Sequence, residues 1–145
     1  MYVQSYDDQW LELRANLEPN VNIYGCAFGG SIYSMCALTG WGLLILKLED
    51  FGLTPRILIA GGRIDYAAPV TETIRARARL PEEVDFDRFV ADYRGRTKAR
   101  MDIPVEVVLG DRVAARFVGT YAVAGEDRLF PGGNGFPDAG DIDGG

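Results

Sequence analysis

One stretch governs what this chain can build. From Ile32 to Leu48 the residues are apolar except for Ser34, Thr39, Gly40, Gly42 and Lys47. Extended to about Gly30 and Asp50, the stretch reads as one long helix that is apolar nearly all round. Such a helix needs other elements over most of its sides. It is short and polar for a membrane span, so a buried core helix is expected. Lys47 suits the negative end of the helix dipole, and Gly52 is placed to cap it. Gly40 and Gly42 weaken the helix intrinsically and predict close packing against a neighbour.

The flanking segments alternate as strands do. In Trp10 to Leu17, Leu11, Leu13, Ala15 and Leu17 take one face and Trp10, Glu12, Arg14 and Asn16 the other. Glu18-Pro19-Asn20 ends this strand, and Gly25 to Ser31 reads as a glycine-rich turn. Arg56 to Tyr66 is apolar on both faces over Ile57 to Ala60, as a central or interface strand would be. Gly61-Gly62 suggests a bend within it. Thr73 to Arg79 alternates, with Ile74, Ala76 and Ala78 inward. Pro81 to Tyr93 reads as a loop with a short helix carrying Phe86, Phe89 and Val90. Arg94 to Leu109 and Arg112 to Val123 alternate again around the turn at Gly110-Asp111. The order is one strand, a buried helix, then four strands. The expected fold is α+β, an antiparallel β-sheet wrapped around a long central helix.

Composition narrows the chemistry. The chain of 145 residues contains no histidine, which removes Ser-His-Asp and Cys-His catalysis and every histidine-ligated metal site. Cys26 and Cys36 cannot make a structural zinc site between them and are expected to be small buried hydrophobes in a reducing compartment. A net charge of −6 disfavours a nucleic-acid partner. Residues 125–145 hold Glu126, Asp127, Asp138, Asp141 and Asp143 against Arg128 alone, with many Gly and Pro residues. They are expected to be a flexible acidic tail after a folded domain of residues 1–124. Met1 to Asp8 shows neither a basic nor an apolar leader, so a cytoplasmic location and no membrane association are expected. Two arginine rows stand out: Arg75, Arg77 and Arg79, and Arg94, Arg96, Lys98 and Arg100. Each is either a solvated sheet face or a contact for an anionic partner.

Two motifs go further. Asn22-Ile23-Tyr24-Gly25-Cys26-Ala27-Phe28-Gly29-Gly30-Ser31 resembles the Asn-x-x-Gly-x-x-[His/Phe]-Gly-Gly turn of hot-dog-fold thioesterases. The longer string from Leu17 to Leu48 is closer still to the thioesterase domain that follows an acetyltransferase domain in YiiD-type proteins. Ile64-Asp65-Tyr66-Ala67-Ala68-Pro69-Val70 is similar to that family's Ile-x-Tyr-x-x-Pro-Val. The resemblance covers roughly residues 10–123. It implies a stand-alone hot-dog domain, a homodimer or dimer of dimers with sites at the dimer interface, and acyl thioesters on coenzyme A or acyl carrier protein as substrates. It implies no metal and no organic cofactor.

Thioester hydrolysis needs a polarised carbonyl and a placed water. Backbone amides at a helix N-terminus can polarise a carbonyl, so Gly29 and Gly30 are catalytic candidates. Asn22 could orient water or carbonyl, or could close the turn on itself. The general base is open. Where many members of the family place a carboxylate in the helix, this chain has Ala37. Ser34 and Asp65 are the remaining catalytic candidates, although Asp65 could equally face solvent beside Arg63. Gly25, Phe28, Ser31, Tyr33 and Tyr66 are candidate substrate contacts, with Arg94 and Arg96 for the anionic carrier. Tyr24, Phe28, Tyr33 and Trp41 could line an acyl tunnel or simply be core. Without a helix carboxylate, a non-catalytic acyl- or pantetheine-binding module is the alternative.

Overall fold

A computed structural model describes residues 1–7 and 9–125. The strands are β1 (Tyr2–Tyr6), β2 (Trp10–Ala15), β3 (Arg56–Tyr66), β4 (Ile74–Arg79), β5 (Lys98–Leu109) and β6 (Arg112–Ala124). The helices are α1 (Gly29–Asp50) and α2 (Glu83–Arg96), with one 3-10 turn at Glu18–Asn20. All strands pair antiparallel in the order β1-β2-β4-β5-β6-β3. One face of this sheet packs on α1, as the sequence pattern requires.

Helix α1 is long and apolar enough, by length and composition, to cross a membrane. Here its Ile32, Met35, Cys36, Leu43, Leu44 and Leu48 are buried against the sheet. The core from the strands is the inward set read from alternation: Leu11, Leu13 and Ala15, then Ile74, Ala76 and Ala78, then Met101, Ile103, Val105 and Val107. The helix glycines sit where side chains crowd. A Cβ on Gly40 would strike the Tyr121 hydroxyl, and one on Gly42 would lie 3.0 Å from Leu11. Gly52, at φ +73°, donates to the Glu49 carbonyl just past the helix end.

Four expectations change. Residues 2–6 form a strand that alternation did not mark, because every side chain in it is exposed. The segment after Pro81 is a 14-residue helix that runs through Arg94 and Arg96. These arginines therefore leave the strand row of Lys98 and Arg100, and the break falls at Thr97, in the left-handed conformation (φ 55°). The third concerns the two placements left open for β3: it is an edge strand, which removes the central placement and keeps the interface one. Its Leu58 and Ile59 are about two-fifths exposed, and its register slips between Ile59 and Gly61, just before the Gly61-Gly62 pair. Finally, α1 is not covered all round: a single sheet shields one side and leaves Ser34, Leu38 and Trp41 exposed. The proposed tail from residue 126 onward lies outside the described residues.

Candidate active site

The turn before α1 is built by Asn22. Its side-chain Oδ1 accepts hydrogen bonds from the amides of Tyr24 (2.8 Å) and Cys26 (3.2 Å). Its own amide donates to the Cys26 carbonyl at 2.8 Å, and its carbonyl accepts from Gly25, whose φ is +78°. This is an Asx-type turn, the self-closing arrangement that asparagine favours. Two further bonds fix the loop. The Ala27 amide donates to the Val70 carbonyl and the Phe28 amide to the Asn20 carbonyl. The segment is thereby pinned between the end of β2 and the loop that follows β3.

Helix α1 then starts without a side-chain cap and with no acid in its first turn. Its first intrahelical bond runs from the Ile32 amide to the Phe28 carbonyl. The amides of Gly29, Gly30 and Ser31 precede that bond and point out of the helix end, where the dipole favours negative charge. The two glycines differ in what lies over them, Gly30 being crowded and Gly29 in ordinary contact. A Cβ on Gly30 would come within 2.9 Å of the Phe28 ring, and one on Gly29 within 3.4 Å of the Tyr66 hydroxyl. Tyr66, at the end of β3, donates to the Gly29 carbonyl at 2.8 Å. Desolvation, with smaller contributions from Cys36 and Tyr33, raises the Tyr66 pKa, so it remains a neutral donor.

Two clefts flank this helix end. The smaller, about 290 Å³, has Asn22, Cys26, Gly29, Tyr66 and the Ala67–Val70 loop as walls. The larger, about 630 Å³, lies between the β2 end (Ala15, Asn16, Asn20) and the helix side carrying Phe28, Gly30, Ser31, Ser34 and Leu38. The site residues therefore divide. Asn22, Gly29 and Tyr66 face one cleft, and Phe28, Gly30, Ser31 and Ser34 the other. Asn16 and Asn20 are additions that the sequence reading missed. In the sequence Asn20 reads only as part of a strand terminator, yet its side chain donates to the Asn16 carbonyl and its own carbonyl holds Phe28.

Several candidates lie elsewhere. Tyr66 and Ile64 face the helix side of β3, so strand alternation turns Asp65 to the outer face, in register with exposed Arg116. Asp65 is thus directed away from the helix end of its own chain. Arg94 and Arg96 also lie away from the helix end of their own chain. Thr97 bonds Gly125, and Ala124 pairs with Arg56, at the far end of β3 from Tyr66. That strand spans about 33 Å at the usual rise per residue. Tyr33 is half-buried, edge-on to Phe117 with ring centroids 5.1 Å apart, and its hydroxyl lies over Gly62. Trp41 donates to the Ile57 carbonyl at 2.9 Å. Tyr24 is 81 % exposed. These aromatics do not converge on one tunnel within the protomer. Cys36 is buried and its thiol is pushed up to about 12 by desolvation, so it is inert; Cys26 is half-buried at the smaller cleft.

Residues 1–125 match a family model described as "Putative thioesterase (yiiD_Cterm)". The chain belongs to that family. Solved structures agree. A thioesterase-designated protein of Shewanella oneidensis is 32 % identical at a TM-score of 0.76, over 84 % of this chain and 82 % of that one. A protein of unknown function from Chlorobaculum tepidum TLS is 30 % identical at a TM-score of 0.80, over 85 % and 81 %. A probable thioesterase from Pseudomonas aeruginosa, 19 % identical at a TM-score of 0.71 over 84 % and 80 %, shares the fold. The six-stranded sheet with its long helix is thus the hot-dog fold of the yiiD_Cterm family.

Proposed function

We propose that this yiiD_Cterm protein hydrolyses acyl thioesters carried on coenzyme A or acyl carrier protein, and that it works as a homodimer. The observation that carries the reading is the uncapped start of α1, where the Gly29, Gly30 and Ser31 amides open between two clefts. Donors arranged in advance around a developing oxyanion are commonly the largest single contribution to acyl transfer. In this reading the thioester carbonyl oxygen sits on those amides. Tyr66 holds the Gly29 peptide in place through its carbonyl. The Asn22 Nδ2 group, left over once Oδ1 is committed to the turn, positions the attacking water. Water adds to the thioester carbon, the carbon–sulfur bond breaks, and the thiol leaves with a proton.

No carboxylate lies on α1 between Gly29 and Leu48, so carbonyl polarisation is assigned most of the rate. A dimer formed by pairing two β3 edges is supported by the exposed Leu58 and Ile59 and the open α1 stripe at Leu38 and Trp41. Edge pairing continues the sheet and preserves its faces, so a second copy's Asp65 would also face outward.

A thiol-release assay on acyl-CoA and acyl-carrier-protein esters tests the proposal. Release of thiol is expected, and it should persist in Asp65→Asn. The same missing helix carboxylate favours the second reading, a binding module. A ligand-dependent rise in Tm with no thiol release from any ester would select it.

A further inference from the structure

The outer face of the sheet, opposite α1, carries a charge pattern that the proposed hydrolysis does not use. Asp65, Arg116, Glu106, Arg77 and Glu12 stand in register across β3, β6, β5, β4 and β2, alternating in sign from strand to strand. This row is self-compensating. On β2 and β4 the balance then tips. Glu12 is buried beneath Arg14 (2.9 Å), Arg75 (3.0 Å) and Arg77 (3.8 Å). Arg14 and Arg75 reach it through Nε, and both side chains stay partly exposed. Arg77 and Arg79 lie over the Trp10 ring, 4.9 and 5.8 Å from its centroid. Three guanidiniums thus meet one carboxylate, and a fourth, that of Arg79, lies with Arg77 over the neighbouring ring. They are held in place by that carboxylate and by an aromatic surface, in a chain whose total charge is negative.

We propose that this face docks an acidic α-helix of a partner protein. Outward residues two apart on a strand stand about 6.6 Å apart, so Arg75, Arg77 and Arg79 span about 13 Å. Carboxylates at i, i+4 and i+8 of a helix stand about 6 and 12 Å along its axis. The two spacings agree within the reach of an arginine side chain. Guanidinium–carboxylate pairs of this kind, fixed before contact, favour fast and selective docking. The proposal is independent of turnover, because its surface lies on the opposite side of the sheet from α1.

The test is a fluorescence-anisotropy titration of the full chain with a labelled helical peptide bearing Glu at i, i+4 and i+8. A peptide of identical composition with the Glu residues distributed around the helix serves as control. Saturable binding is expected for the first peptide, several-fold weaker binding for the control, and a fall in affinity between about 50 and 300 mM salt. Arg79→Glu, which leaves the Glu12 contacts in place, should weaken binding about tenfold or more. Arg75→Gln, shown to be folded by its melting curve, should weaken it also. Equal affinity for the two peptides, or affinity unchanged in both variants, overturns the proposal. So does displacement of the peptide by equimolar coenzyme A, which would make the face a phosphate site. Tighter binding of a synthetic peptide of residues 126–145 would overturn it as well, by assigning the face to the chain's own acids.

Discussion

Asn22 does two things that alanine would remove together. Its Oδ1 holds the turn through Tyr24 and Cys26, and in the proposed mechanism its Nδ2 positions the water. Asn22→Asp keeps the acceptor and loses the donor. We expect it to hold Tm near that of the parent while turnover falls about 10–100-fold, the worth of one lost transition-state hydrogen bond. Asn22→Ala should lower both. Equal turnover in the Asp variant and the parent would leave Asn22 a purely structural residue. Tyr66→Phe is expected to cost about 1 kcal/mol of stability through the lost bond to Gly29, measurable by denaturant unfolding. Glu12 titrates differently from a surface acid. Burial pushes its pKa up, but hydrogen bonds from Arg75 and Arg14 outweigh this and lower it overall. A depressed folded-state pKa stabilises the fold above the unfolded value and loses that contribution as pH falls through the folded one. Glu12→Gln should therefore reduce stability by about 2 kcal/mol at neutral pH, and the difference from the parent should shrink in acid. A constant difference down to the acid limit would contradict this account.

At the scale of elements, the sequence was most legible where one physical rule acted alone. The long, mostly apolar run of α1 and the alternation of β2, β4, β5 and β6 each admitted one reading, and the core residues follow it. Legibility failed where two rules competed. Arg94 and Arg96 continue the strand alternation of Lys98 and Arg100, yet they also suit the last turn of a helix, and packing of Phe86, Phe89 and Val90 settles the matter for α2. Strand β1 was invisible because it buries nothing and is specified by pairing to β2. Within the site, the glycines and Asn22 could be read from local turn chemistry. Asn16 and Asn20 could not, because their part in the larger cleft depends on how β2 meets α1. Alternation alone leaves the face of Asp65 open beside the Gly61-Gly62 irregularity; the bond from Tyr66, next to it, to Gly29 fixes that face. Gly30→Ala tests the helix start itself. Its Cβ must displace the Phe28 ring, so a loss of turnover with little change in helix content is expected by kinetics and circular dichroism.

At the scale of the whole molecule, the single chain leaves apolar surface open. Its sheet ends in an apolar edge at Leu58 and Ile59, and its central helix shows Leu38 and Trp41 to solvent. Long apolar edges are templates for pairing. Ile59→Asp is expected to shift the protein to monomer in sedimentation and to remove turnover with it. A dimer that persists in that variant would place the interface elsewhere. The most direct measurement is thiol release from acyl-CoA and acyl-carrier-protein esters by the parent chain and by Asp65→Asn side by side. Hydrolysis by both, at comparable rates, is the predicted result, because the polarising amides of α1 remain and Asp65 faces away from them. Hydrolysis by neither, or by the parent alone, would contradict catalysis by the helix terminus without a carboxylate from Asp65.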